Sequence, residues 1–149
     1  MKNLFIYLIV LIIAGGIVTA CVEAANGSGS GSGMQVKEAW ARPGQVGGTS
    51  AAYFVIDNNG EADTLLNAAC QTAGVTELHM SKMDGDKMMM QPQENVPVLA
   101  NGEVVFEPGG LHVMMIDLKS EVKVGDKLTL TLTFEKAGTI QTEATVREP

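Results

Sequence analysis

The sequence predicts an all-β domain, an antiparallel β-sandwich or small barrel, on three observations. Residues 127–134 alternate without a break: Leu128, Leu130, Leu132 and Phe134 share one face and Thr129, Thr131 and Thr133 the other, which marks a half-buried antiparallel strand. Short apolar runs punctuated by Gly, Pro, Asn and Asp recur over roughly 115 residues, enough for about seven to nine strands. Beyond position 34, no stretch of about ten or more residues combines a helical period with helix caps.

The chain opens with a different kind of segment. Lys2 precedes an apolar run of about 17 residues, from Leu4 to Ala20, broken only by Tyr7, Gly15, Gly16 and Thr19. That length lies between a signal-peptide core and a short membrane span. Val18-Thr19-Ala20-Cys21 places small residues just ahead of a cysteine and resembles the bacterial lipobox, in which the cysteine is lipidated and becomes the new N-terminus. We therefore read residues 1–20 as a lipoprotein-type signal peptide and Cys21 as the lipid attachment point. Ordinary cleavage after Ala20 and an uncleaved anchor helix are the alternatives, and all three readings put the domain outside the cytoplasmic membrane. Residues 21–33 then form the lipidated cysteine and a tether ending in Gly27-Ser28-Gly29-Ser30-Gly31-Ser32-Gly33. A flexible coil of that composition reaches roughly 17–20 Å.

The single domain spans 34–149, and its expected strands follow in order. The first is 36–41. The next, 51–56, is the apolar run Ala51-Ala52-Tyr53-Phe54-Val55-Ile56, closed by the turn residues Asp57-Asn58-Asn59-Gly60. Strands at 64–69 and 75–80 come next, with Cys70 in an apolar context that fits a small buried hydrophobe. Asp84-Gly85-Asp86 reads as a hairpin turn. Strands at 103–107 and 111–118 flank the turn Pro108-Gly109-Gly110, and 127–134 pairs with 139–146 through Glu135-Lys136-Ala137-Gly138. Trp40, the sole tryptophan, is expected in the core.

Function concentrates between Leu78 and Met115. Of nine methionines, Met80, Met83, Met88, Met89, Met90, Met114 and Met115 fall there, as do both histidines, His79 and His112. A core needing only filler would draw on Leu, Ile and Val, because methionine is flexible and specifies packing poorly. Thioethers gathered with imidazoles indicate a soft-metal site, with Cu(I) the favoured ion. On a strand, His112 and Met114 project together while Leu111, Val113 and Met115 face the other way. A hairpin at 84–86 returns the chain so that His79 lies beside one of Met88, Met89 and Met90; if that run is extended, Met88 and Met90 share a face. Met80 and Met83 are expected to be packing or a soft rim.

The spacing of His79, ten residues, Met90, twenty-one residues, then His112-x-Met114 resembles the signature of the periplasmic PCu(A)C-type copper chaperones. Ala39-Trp40-Ala41-Arg42, Ala51-Ala52-Tyr53, Glu77-Leu78-His79-Met80, Pro108-Gly109-Gly110 and Leu128-Thr129-Leu130-Thr131-Leu132 are similar to stretches of that family too. The resemblance covers roughly residues 36–146. It implies a cupredoxin-like antiparallel β-sandwich or small Greek-key barrel, binding one Cu(I) through His79, Met90, His112 and Met114. It also implies a protein acceptor of the metal, either a cytochrome c oxidase subunit or a second copper chaperone. A monomer is expected. The lipoprotein-type signal and Cys70 lie outside the family's motif.

Charge and motif content narrow the remaining classes. Removing residues 1–20, whose one charged side chain is Lys2, takes the formal charge from −7 to −8, with no basic patch. Nucleic acid and electrostatic attachment to anionic lipid are therefore poor expectations. With Cys21 lipidated, Cys70 has no partner for a disulfide. A blue-copper electron carrier needs a thiolate beside its imidazoles, and no cysteine lies between His79 and His112. No Ser-His-Asp set, carboxylate pair or phosphate loop stands out, so an enzyme is not expected. The competing class is a metal-free lipoprotein β-sandwich whose methionine patch binds a protein partner.

Overall fold

Ten strands and no helix make up the described residues, 33–149 of a computed structural model. The expected signal at 1–20, Cys21 and all of the expected tether except Gly33 lie outside the described residues. In chain order the strands are β1 (Met34–Ala41), β2 (Thr49–Asn58), β3 (Asp63–Cys70), β4 (Ala73–Asp84), β5 (Lys87–Pro92), β6 (Val96–Val98), β7 (Gly102–Phe106), β8 (Leu111–Leu118), β9 (Lys127–Phe134) and β10 (Gly138–Val146). The threonine–leucine alternation of β9 does what it predicts. Leu128, Leu130, Leu132 and Phe134 are buried, and β10 pairs along the whole strand from Gly138↔Phe134 to Thr145↔Lys127.

Hydrogen bonding runs in the order β5-β4-β8-β7-β2-β1-β10-β9-β3-β6, with β8 also pairing β2. Pairing is antiparallel except for β1 with β10 and β7 with β8. β3 and β4 lie toward opposite ends of that order, yet only Gln71 and Thr72 join them. A connection that short cannot cross the face of a flat sheet, so the open sheet curls over and packs its two ends around one core. Lys119, just past β8, fastens the junction by donating its backbone N–H to the Thr72 carbonyl at 2.8 Å. Phe54, Ile56, Leu65, Val113, Met115, Leu130 and Leu132 fill the interior, where Phe54 and Phe106 stack at 4.3 Å between centroids.

Three sequence expectations change. β5 and β6 are strands beyond those read from the pattern. β5 is exposed along its entire length, so no buried face imposes an alternation on Lys87-Met88-Met89-Met90-Gln91-Pro92, and β6 is three residues around Pro97. β4 runs on to Asp84, because its far half pairs with β5, from His79↔Pro92 to Asp84↔Lys87. Trp40 is half-buried rather than core: it lies against Tyr53 with centroids 4.5 Å apart, under the Arg147 guanidinium at 4.4 Å. Cys70 is a free thiol buried in the core, as its apolar context implies.

Candidate metal centre

The β4–β8 ladder sets His79 directly opposite His112, and Glu77 opposite Met114. Directly opposed residues project to the same side of a sheet, as do residues two apart along a strand. All four therefore share one face, while Leu78, Val113 and Met115 turn into the core on the other. The two rings are 5.8 Å apart at 54°. Both are buried, at 7% exposure for His79 and 4% for His112.

Hydrogen bonds decide which nitrogen of each ring is open. His112 Nδ1 lies 3.1 Å from the Gly110 carbonyl oxygen, which can only accept, so Nδ1 carries the proton and Nε2 keeps its lone pair. The Pro108-Gly109-Gly110 turn supplies that carbonyl. Gly109 has φ +84°, which a side-chain-bearing residue adopts only under strain. His79 is the mirror case. Its Nε2 lies 2.7 Å from Glu77 Oε2, and the carboxylate accepts from an Nε2–H. In the neutral ring that leaves His79 Nδ1 as the lone-pair nitrogen, and it is buried with no hydrogen-bond partner. An unpaired buried acceptor costs about 1–3 kcal/mol, so the fold holds this nitrogen at a cost that a metal bond would remove.

The thioethers differ in exposure. Met114 is half-buried on β8. Met90 is opposite Ser81 on the β4–β5 ladder, on the same face as His79, and is 54% exposed. A cavity of about 640 Å³ opens over this face, with Met88, Met90, His112 and Met114 in its wall together with Tyr53, Ser50 and Arg42. His79 is not in that wall; it lies against His112 beneath it. The four sequence-predicted residues thus share one face, three of them at the cavity and His79 below. Cys21 is outside the described residues. Cys70 is opposite Leu130 in the core, so the described thiol is not part of this face. Among the described residues there is no cluster of three or more His, Cys, Asp or Glu side chains able to hold a metal. Beside the imidazoles the available soft donors are thioethers.

Glu77 and Tyr53 are parts of this face that sequence reasoning did not single out. Glu77 is two residues before His79, and that spacing alone would have put carboxylate and imidazole side by side on a strand. Tyr53, 6.4 Å from His112 and 4.5 Å from Trp40, backs the cavity and extends an aromatic row from Trp40 to His79. Its place follows from the Trp40↔Tyr53 register, which no local pattern encodes.

Residues 34–146 match the family model described as "Putative lipoprotein LpqE-like". The "Putative lipoprotein Lxx21020" of Leifsonia xyli is 26% identical over 142 residues, covering 94% of this chain and 85% of that protein. Among solved structures, the apo PCuAC domain from PmoF1 superposes with a TM-score of 0.66 at 27% identity, covering 79% of this chain and 96% of that one. The Cu(I) form of DR1885 from Deinococcus radiodurans gives 0.56 at 28%, covering 83% and 85%. With the family model matching residues 34–146 and the PCuAC fold superposing over 79% of the chain, the protein belongs to the LpqE-like family and is a PCuAC-type domain of cupredoxin-like β architecture.

Proposed function

We propose that this protein is an extracytoplasmic copper chaperone, held at a membrane by lipid on Cys21, that carries one Cu(I) on His79, Met90, His112 and Met114. The observation that carries the reading is the His79–His112 pair, with the buried Nδ1 of His79 left unpartnered by the Glu77 hydrogen bond. Cu(I) is the cargo that suits the donors. Two neutral imidazole nitrogens and two thioethers are soft or borderline ligands with no proton to lose. His79 would bind through Nδ1 and His112 through Nε2, each ring oriented from its other nitrogen. The Cu(I)-bound state of DR1885 supports the choice of ion.

Four neutral ligands leave the charge of Cu(I) uncompensated among the bonded atoms. Glu77 supplies the nearest negative charge one hydrogen bond away. A site of that kind releases its ion to an acceptor offering thiolates, by ligand exchange. The copper centre of cytochrome c oxidase, or a second copper chaperone, is the acceptor class we infer. The "lipoprotein" description shared by the family and by the Leifsonia relative supports the anchored, extracytoplasmic placement.

Calorimetric titration with Cu(I) under reducing conditions tests the reading. The protein should take up one tight equivalent, and His112→Ala and Met114→Ala should each weaken it at least about tenfold. Unchanged affinity in both variants, or no uptake by the parent, would favour a metal-free module using the exposed methionines as a protein-binding patch.

A further inference from the structure

The β4–β5 hairpin carries a second group of soft ligands. Met83 is directly opposite Met88, and Met90 lies two residues beyond Met88 on the same face. At 58%, 60% and 54% exposure, these side chains bury little. An edge strand is normally guarded by charge or proline, yet the middle of β5 is three consecutive methionines. Nearby charges cancel, since Lys82 and Lys87 accompany Asp84 and Asp86, so softness rather than charge distinguishes the hairpin end. Opposed Cβ atoms are about 4.5–5.5 Å apart and diagonal ones about 7–8 Å. Three flexible thioethers at those spacings can converge on one ion. Met88 and Met90 also form part of the cavity wall that contains His112 and Met114.

We propose that Met83, Met88 and Met90 form a second, weaker Cu(I) site that is the port of the carrier, with Met90 shared between port and inner site. This rests on the Cu(I) reading above. Copper passes inward as its bonds to the Met83 and Met88 sulfurs break and bonds to the imidazole nitrogens and the Met114 sulfur form, while Met90 stays bound. The ion remains monovalent throughout. A thioether carries no proton, so none is released at the port as copper binds there or moves on. Release runs the same path outward, which places the acceptor at the hairpin end.

The test uses the full chain in detergent, labelled with ¹³C at the methionine methyls and titrated with Cu(I) under excess ascorbate. The first equivalent should shift the methyl signals of Met90 and Met114; the second, held by Met83 and Met88 while Met90 is committed to the inner ion, should shift those of Met83 and Met88 and bind more weakly for lack of the third sulfur. Met83→Leu with Met88→Leu keeps apolar bulk at two exposed positions. That double variant should lose the second phase, keep the first, and give up its copper to bicinchoninate about tenfold more slowly, a barrier increase of about 1.4 kcal/mol. Second-equivalent signals that leave Met83 and Met88 unmoved overturn the port, as does extraction at the parent rate. A first equivalent that moves neither Met90 nor Met114 overturns the inner site and the port with it.

Discussion

Glu77 and His79 are two residues apart on β4, and their 2.7 Å hydrogen bond engages Nε2 and leaves Nδ1 as the unpartnered nitrogen. Glu77→Ala should release that choice and weaken Cu(I) binding by about 10–100-fold, with Glu77→Gln, whose amide oxygen still accepts, closer to the parent. Imidazole ¹⁵N shifts of the metal-free protein give the deciding readout, since only an orienting role predicts loss of a fixed Nε2–H tautomer at His79. Asp63 works at the same scale but serves the fold. Burial by itself would raise its carboxyl, yet the backbone N–H groups of Lys136, Ala137 and Thr64, with the Lys136 charge, hold it below the ordinary carboxylate range. A folded-state value lowered in this way stabilises the protein above the unfolded value near ~3.9, and that stabilisation is lost as pH falls through the lower, folded value. Urea unfolding at stepped pH should therefore show Asp63→Asn less stable at neutral pH by about 2 kcal/mol. The gap to the parent should close in acid.

Along β8, consecutive methionines have opposite fates. Met115 is fully buried in the core, whereas Met114 is half-buried on the cavity face. Met115→Ala should cost about 2–5 kcal/mol of stability, read by denaturant unfolding, while Cu(I) affinity of the folded fraction stays near the parent value. A fall in affinity equal to that of Met114→Ala would mean that the strand does not separate the two roles. The β4–β5 hairpin is the contrasting element. Its turn is Gly85-Asp86, with Gly85 at φ +61° and open space where a Cβ would go, so the position demands backbone freedom rather than room. β4 pairs with β8 as far as Met80 and bonds Gly110 at Ser81, so from Lys82 to Asp84 the exposed β5 is its ladder partner and no side chain is buried, the low local packing that ligand exchange at the methionines requires.

For the whole molecule, the curled sheet presents its soft face at one end of β4, β5 and β8, while the chain enters β1 from the tether at Gly33. Under the proposed anchored reading, the Gly/Ser composition of residues 27–33 would let that face sample a short radius of the bilayer. Cys21→Ser should move the protein from the membrane fraction to the soluble fraction, assayed by fractionation and immunoblot. Persistence with membranes would show that lipid on Cys21 is not the sole anchor. The net charge of −7 disfavours attachment of the domain surface to anionic lipid, so under the proposed reading membrane attachment would rest on Cys21.

The sequence by itself determined the strands with one buried face. The Leu128-to-Phe134 alternation, the turn at Pro108-Gly109-Gly110 and the projection of His112 with Met114 all follow from a two-residue period acting locally. It also named four candidate ligands by spacing and resemblance, without fixing how the His79 hairpin meets the His112 strand. Tertiary structure decided what depends on register between distant segments: that His79 stands opposite His112, that Met90 rather than Met89 shares their face, and that Tyr53 closes the cavity. It also decided the open nitrogen of each imidazole, because a tautomer is set by the partner across a hydrogen bond and no side-chain identity alone specifies it. Short-range patterns are written in consecutive residues; pairings between strands are fixed only when the common core closes and one register buries it best.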